Sequence, residues 1–199
     1  MEKVLRKVIL SVSVIILLVG TALYTRSSIL QKNKQDSLKA WENDIADFVR
    51  QALDMGFAAT DGNVIVVPAT CMAEEIEWVN IHSSAPEDGW LLFTHTEEGK
   101  DKQEIVIPET IDGKPITAIN VCAFFRCRNL ESVIIPDTIC NVAENAFSAC
   151  HKLRSITSSE EFFNAVGGVN SPIFAECNIS EWNYSGDGLE FEFGFAPLE

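Results

Sequence analysis

The sequence predicts a short α/β solenoid of two to three β-rich repeats with β-hairpin caps, preceded by a transmembrane helix and an amphipathic helix. Three observations predict it. An uncharged apolar run lies near the N-terminus, a segment in the second half repeats itself 23 residues later, and the C-terminal stretch alternates apolar with polar residues. At 199 residues, 47% of them hydrophobic, the chain is long enough for one domain with a core plus an appendage.

The first element is the run 8–24 (VILSVSVIILLVGTALY), flanked by Lys3, Arg6 and Lys7 on one side and Arg26, Lys32 and Lys34 on the other. A span needs about 17 to 25 apolar residues, whereas the apolar core of a signal peptide has roughly 7 to 15. Residues 1–26 therefore read as an N-terminal anchor, with a signal peptide cut after the small residues Gly20, Thr21 and Ala22 as the alternative. Basic residues on both flanks leave the orientation open. Charge then changes abruptly. Residues 35–199 hold nine of the 15 Lys and Arg but 28 of the 29 Asp and Glu, a net charge of −19. So acidic a surface repels nucleic acid phosphates and anionic headgroups, which excludes nucleic acid as a partner.

Residues 27–57 read as a helix next to the membrane, with Leu38, Trp41, Ile45, Phe48, Val49 and Ala52 on one stripe and Gly56 at the end. The stripe either packs on the following domain or pairs two copies as a homodimer. Residues 58–104 form an N-terminal cap. Within it Asp61-Gly62 is a turn, NVIVVPA (63–69) a strand, and EEIEWVNI (74–81) either helix or strand. GWLLFTHT (89–96) and QEIVIP (103–108), around the charged loop 97–102, read as a hairpin. At the other end SEWNY (180–184), SGDG (185–188) and LEFEFGF (189–195) make the C-terminal cap hairpin, residues 180–199.

Between the caps lie the repeats, residues 105–179. Ile116, Ala123, Phe124, Cys127, Leu130 and Ser132 return as Ile139, Ala146, Phe147, Cys150, Leu153 and Ser155, while Ile119 and Val133 return as Val142 and Ile156. The strands IVIPETI (105–111) and VIIPDTI (133–139) also match, with DGKPI inserted after the first, and a degenerate third unit contains Phe174 and Cys177. A period in the low twenties signifies stacked rungs. These units resemble the BspA-type (treponemal) leucine-rich repeat, IxIPxxIxxIxxxAFxxCxxLxxI. That resemblance implies a right-handed leucine-rich-repeat solenoid with one short strand per turn and irregular or helical segments opposite.

A position that points inward on every rung needs a small apolar side chain, and unpaired Cys behaves as one. Phe124, Cys127, Leu130, Phe147, Cys150, Leu153, Phe174 and Cys177 are therefore read as structural core. The cysteine spacing does not suit zinc, which favours Cys pairs about two to four apart. Parallel Cβ vectors on adjacent rungs suit a disulfide poorly, although Cys71, Cys122 and Cys140 lie off that column and a bridge among them stays open. His82, His95 and His151 are the only histidines, and no nucleophile motif, phosphate loop or metal signature accompanies them. The sequence thus predicts no catalytic residue, no metal and no cofactor.

Solenoids present extended surfaces for binding. The expectation is a non-enzymatic binding module on a single-pass anchor, its C-terminal domain extracytoplasmic, or secreted if the N-terminal segment is cleaved. Its partner is a protein or glycan of unknown identity, with Glu131 and Arg154 as exposed candidates on the repeat face. The resemblance adds cell-surface adhesion. The alternative is a structural subunit or scaffold of a membrane complex.

Overall fold

The computed structural model describes residues 34–81, 88–185 and 190–192. The apolar run 8–24 lies outside them. Among the described residues no helix is long and apolar enough to cross a membrane. The chain divides into two units, residues 1–58 with 71–75, and residues 59–70 with 76–199.

In the first unit helix α1 spans Lys34–Asp54. The stripe seen in the sequence is graded along it: Ile45 is half-buried, whereas Phe48, Val49 and Ala52 are buried. The helix stops where expected. Gly56 takes a left-handed φ of 68°, and the Phe57 N–H returns to the Ala52 carbonyl at 2.8 Å, the closing turn that glycine permits without a Cβ penalty.

The second unit is built from two sheets. One has the order β1-β2-β4-β7-β9-β3, from β1 (Ala59–Thr60), β2 (Val64–Pro68), β4 (Trp90–His95), β7 (Lys114–Ile119), β9 (Asn141–Ala143) and β3 (Trp78–Asn80); β6 (Thr110–Ile111) pairs with β7 off this path. The other has the order β12-β11-β10-β8-β5, from β12 (Glu190–Glu192), β11 (Glu181–Tyr184), β10 (Ser155–Ser158), β8 (Ser132–Ile134) and β5 (Glu104–Val106). Strands β4, β7 and β9 are parallel, as are β5, β8, β10 and β11. The chain crosses between the sheets once per half rung. Each of the first rungs therefore carries two strands, where the resemblance implied one per turn. The second strand forms because Ile119 and Val142 are apolar in both copies and lie in register, giving the opposite side its own buried row.

The core lies between these sheets. Leu92, Ile119 and Val142 form a row in the first, and Ile105, Val133, Ile156 and Trp182 a row in the second. All of them are 2% exposed or less. Fully burying such a side chain is worth roughly 1.5–3 kcal/mol, so a one-residue slip of any rung would forfeit a whole row.

Strand β2 forms where expected, entered by a turn in which the Asp61 carboxylate accepts the N–H groups of Asn63 and Val64 at 2.8 and 2.9 Å. The ambiguous segment 74–81 supplies the strand β3. The hairpin expected from 89–96 and 103–108 does not form. β4 pairs with β2 and β7, and β5 pairs with β8 in the other sheet. The reason lies in the intervening loop. The Thr96 hydroxyl accepts the Gly99 N–H at 2.9 Å and caps a one-turn helix α2 (Glu97–Lys100), which carries the chain across the core. The five-residue insertion is itself a hairpin: Ile111 pairs with Lys114 around Asp112 and Gly113, at φ 51° and 75°, a tight turn with two left-handed residues.

Both sheets end on an antiparallel strand, β3 beside β9 and β12 beside β11. Such pairing covers the open side of the last parallel strand. The C-terminal hairpin expected from the sequence is therefore present as β11 and β12, with β11 also serving as the last parallel strand of the repeats. Helix α3 (Glu160–Val166), capped by the Ser159 hydroxyl and ended by Gly167 at φ 81°, was not anticipated. It is inserted before the third Phe-x-x-Cys unit, which explains why Cys177 follows Cys150 by 27 residues and not 23.

Candidate functional site

The repeat corner and the outward face of the parallel sheet β5-β8-β10-β11 are where sequence reasoning placed function, so the corner is built up first. Phe124, Phe147 and Phe174 stack through the core, with ring centroids 4.9 Å apart and 4° between planes for the first pair, and 5.5 Å and 23° for the second. Trp182 ends the stack edge-on, 5.6 Å from Phe174, with its indole N–H donated to the Ser158 hydroxyl at 2.9 Å. Leu130 and Leu153 are 0% exposed.

The cysteines do more than fill space. The Cys150 S–H donates to the Phe124 carbonyl at 3.0 Å, and the Cys177 S–H donates to the Phe147 carbonyl at 3.1 Å. Each thiol thus ties its rung to the one before it. The neighbouring Cys127 thiol first, and burial with it, push Cys150 up to about 12, and the Cys150 thiol and burial push Cys177 up as well. Such thiols stay protonated at neutral pH and make poor nucleophiles or metal ligands. Cys140, one of the three cysteines off this column, is a free thiol donating to the Thr138 carbonyl at 3.4 Å. Cys71 is buried and Cys122 half-buried. Among the described residues no cluster of three or more His, Cys, Asp or Glu is arranged to hold a metal.

Histidines and thiols point apart. His151 is exposed, its Nδ1 3.0 Å from the Glu176 carbonyl, while Cys150 beside it is fully buried. His95 is half-buried with Nδ1 3.0 Å from the Thr96 carbonyl. His82 lies outside the described residues.

The outward face of the parallel sheet has two columns. Ser132 and Ser155 lie between Glu104 and Glu181, and Ile134 and Thr157 lie beside Val106. Val106 is 51% exposed, one of few large apolar side chains so open. Glu131 and Arg154, the predicted ligand candidates, sit at the entrance to β8 and β10 on adjacent rungs. The structure pairs them with each other: the Arg154 guanidinium donates to the Glu131 carboxylate at 2.6 Å, and the Arg154 N–H to the Glu131 carbonyl at 2.9 Å. Sequence reasoning missed that pairing, although their 23-residue separation places them at one repeat position.

Comparison with known proteins agrees with this geometry. Residues 99–191 match the family described as "BspA type Leucine rich repeat region" in six copies, more than the two to three read from the sequence. No curated protein matches the chain. A leucine-rich repeat protein of T. pallidum is similar at 24% identity over 49% of this chain and 47% of its own, with a TM-score of 0.31. The chain thus spans about half the length of that protein. A leucine-rich repeat protein from Bacteroides capillosus is similar at 13% identity over 65% of this chain and 99% of its own, with a TM-score of 0.39. No enzyme family appears among these matches. Stacked rungs at a 23-residue spacing, an inward Phe-x-x-Cys unit on three of them and the family match over 99–191 assign that region to the BspA-type leucine-rich repeat family.

Proposed function

We propose that this chain is a non-enzymatic binding module that takes a protein partner on the outward face of its parallel sheet. One observation carries the reading. Equivalent residues of adjacent rungs lie in register on that face, so Ser132, Ser155 and Glu181 in one column and Val106, Ile134 and Thr157 in the next form a continuous, partly apolar surface. A repeat array suits an extended partner better than a small substrate, which needs a concave pocket. The apolar run 8–24 with its basic flanks supports a membrane anchor that holds this module outside the cytoplasm, where adhesion to a protein or glycan is its role.

The test is a binding screen of the full-length protein against arrayed extracellular proteins and glycans, repeated with Ser132→Arg and Thr157→Arg. Both substitutions lie on the outward face and should leave the melting temperature within a few degrees while abolishing the binding seen with the parent. Binding unchanged in both variants would refute this face. Protease treatment of intact cells tests the address: loss of the repeat domain supports an outside location, and protection overturns it.

The scaffold reading, with two copies joined through the α1 stripe, has less support. Phe48, Val49 and Ala52 are already buried within a single chain and so are not available to a second helix.

A further inference from the structure

The surface charge is not evenly spread. Residues 35–199 hold nine Lys and Arg, and four of them, Arg126, Arg128, Lys152 and Arg154, fall at the corner that follows the Phe stack on two adjacent rungs. His151 is exposed beside them. The repeat brings them together. Arg128 and His151 occupy equivalent positions, and so do Asn129 and Lys152, the Lys152 ammonium donating to the Asn129 side chain at 3.5 Å. The Arg126 N–H donates to the Ser148 carbonyl at 3.0 Å, which fixes its rung directly against the next. Of the four cations only Arg154 has a carboxylate partner among the described residues, Glu131. The Arg126 guanidinium instead lies 5.1 Å from the Phe125 ring, an arrangement that leaves its donors in solvent.

We propose that the corner formed by Arg126, Arg128, His151 and Lys152 takes a short run of carboxylates on a protein partner. The proposal rests on the binding-module reading and names the chemistry of its partner. Planar guanidinium groups match carboxylates in a two-bond geometry, and exposed cations on successive rungs are spaced by about 4.8 Å, within reach of successive acidic residues on an extended peptide. The rest of the domain limits the ligand's length. On the third rung the corresponding strip carries Glu176 and Asn178, and the remaining surface is strongly acidic, so the positive zone extends on the order of 10 Å. A long polyanion running past it meets repulsion within a screening length of about 8 Å, whereas three or four acidic residues end inside it. That favours an acidic protein segment over nucleic acid or a sulfated polysaccharide.

The test uses full-length protein and a fluorescent twelve-residue peptide with four consecutive glutamates between glycine-serine flanks, read by anisotropy at about 0.05 and 0.15 M salt. Binding is expected, weakening with salt, and the combined Arg126→Ala, Arg128→Ala and Lys152→Ala variant should lose about tenfold, as three exposed charge contacts of modest strength would give. Lys114→Ala, a cation lying over the Trp90 ring away from this corner, should change nothing. No binding by the parent protein, or equal binding by the triple variant, overturns the proposal. A heparin fragment or a 20-nucleotide single strand that binds more tightly than the peptide, and loses affinity in the triple variant, assigns the corner to a long polyanion and also overturns it. Failure here with loss of partner binding in Thr157→Arg leaves the sheet-face reading standing; the reverse pattern separates the two in the other direction.

Discussion

Replacing Cys150 by serine and by alanine distinguishes a space-filling thiol from one that bonds. The side chain is 0% exposed, and its S–H reaches the Phe124 carbonyl at 3.0 Å. If the thiol only fills space, serine places a buried hydroxyl without a partner, which costs about 1–3 kcal/mol more than alanine at the same site. If it bonds, the serine hydroxyl donates to the same carbonyl. The C–O bond is shorter than C–S, so the new bond is longer than the present one but still recovers part of a net contribution of about 0.5–1.5 kcal/mol. The Phe124 carbonyl also keeps the Cys127 N–H at 3.2 Å in either variant, so neither leaves it orphaned. We therefore expect Cys150→Ser to cost about 1–2 kcal/mol relative to the parent and to lie within about 1 kcal/mol of Cys150→Ala. Chemical denaturation of both variants measures the difference, provided the slope with denaturant stays that of the parent. A serine variant less stable than the alanine variant by 2 kcal/mol or more would refute the bonding role.

Four further outcomes follow from the same geometry. Phe147→Ala removes the middle ring of the stack, and because it touches a ring on both sides it should cost about 3–5 kcal/mol by denaturation, more than the end residue Phe174→Ala. Gly99→Ala would drive its Cβ into the Asn63 backbone carbonyl, a clash that neither partner relieves by rotating a side chain, so a loss of about 1–3 kcal/mol and weakened capping of α2 are expected in thermal melts. For pH, the Cys150 thiol is raised in the folded state to about 12 from 9.0, so its proton is held more tightly folded than unfolded. Its contribution is complete below pH 9 and is lost as pH rises toward 12, at no more than about 1.4 kcal/mol per unit, so the parent should lose stability over this window faster than Cys150→Ala. Equal alkaline slopes would contradict it. Glu131→Ala and Arg154→Ala break an exposed pair worth about 0–1 kcal/mol, so their melting temperatures should move by only a few degrees whatever happens to binding.

What was legible in the sequence followed from repetition. Residues 23 apart stack on each other, so the Phe stack, the cysteine column and the inward leucines were set by spacing alone, before any contact was known. What spacing does not encode is which strand lies beside which. The apolar runs around 97–102 have the composition of a hairpin, yet Thr96 caps a helical turn there, and a single hydroxyl redirected the chain from one sheet to the other. Strand β3 was ambiguous because three residues are too few for a period, and its place beside β9 depends on register across more than 60 residues. Helix α3 left a local trace in Ser159 and Gly167, but seven residues carry little periodicity. The charged corner was written in the sequence as well, hidden by a net charge of the opposite sign.

The turns explain why these rungs hold only as a stack. Cys122 and Asn145 sit at equivalent positions with φ 57° and 59°, and Arg126, Ala149 and Glu176 share another with φ 61°, 60° and 63°. None is glycine, so each left-handed residue costs roughly 1–2 kcal/mol. The recovery comes from the neighbouring rung. The N–H groups of Phe124 and Arg126 donate to Ala146 and Ser148, and those of Phe147 and Ala149 to Ile173 and Ala175, at 2.8 to 3.0 Å. The Cys150 and Cys177 thiols add bonds in the opposite direction, to the preceding rung. A rung without its neighbour would keep the strain and lose these bonds. The strained turn therefore makes folding cooperative along the stack, and it also holds the corner cations on a rigid backbone and not on a loop free to collapse onto the nearest carboxylate.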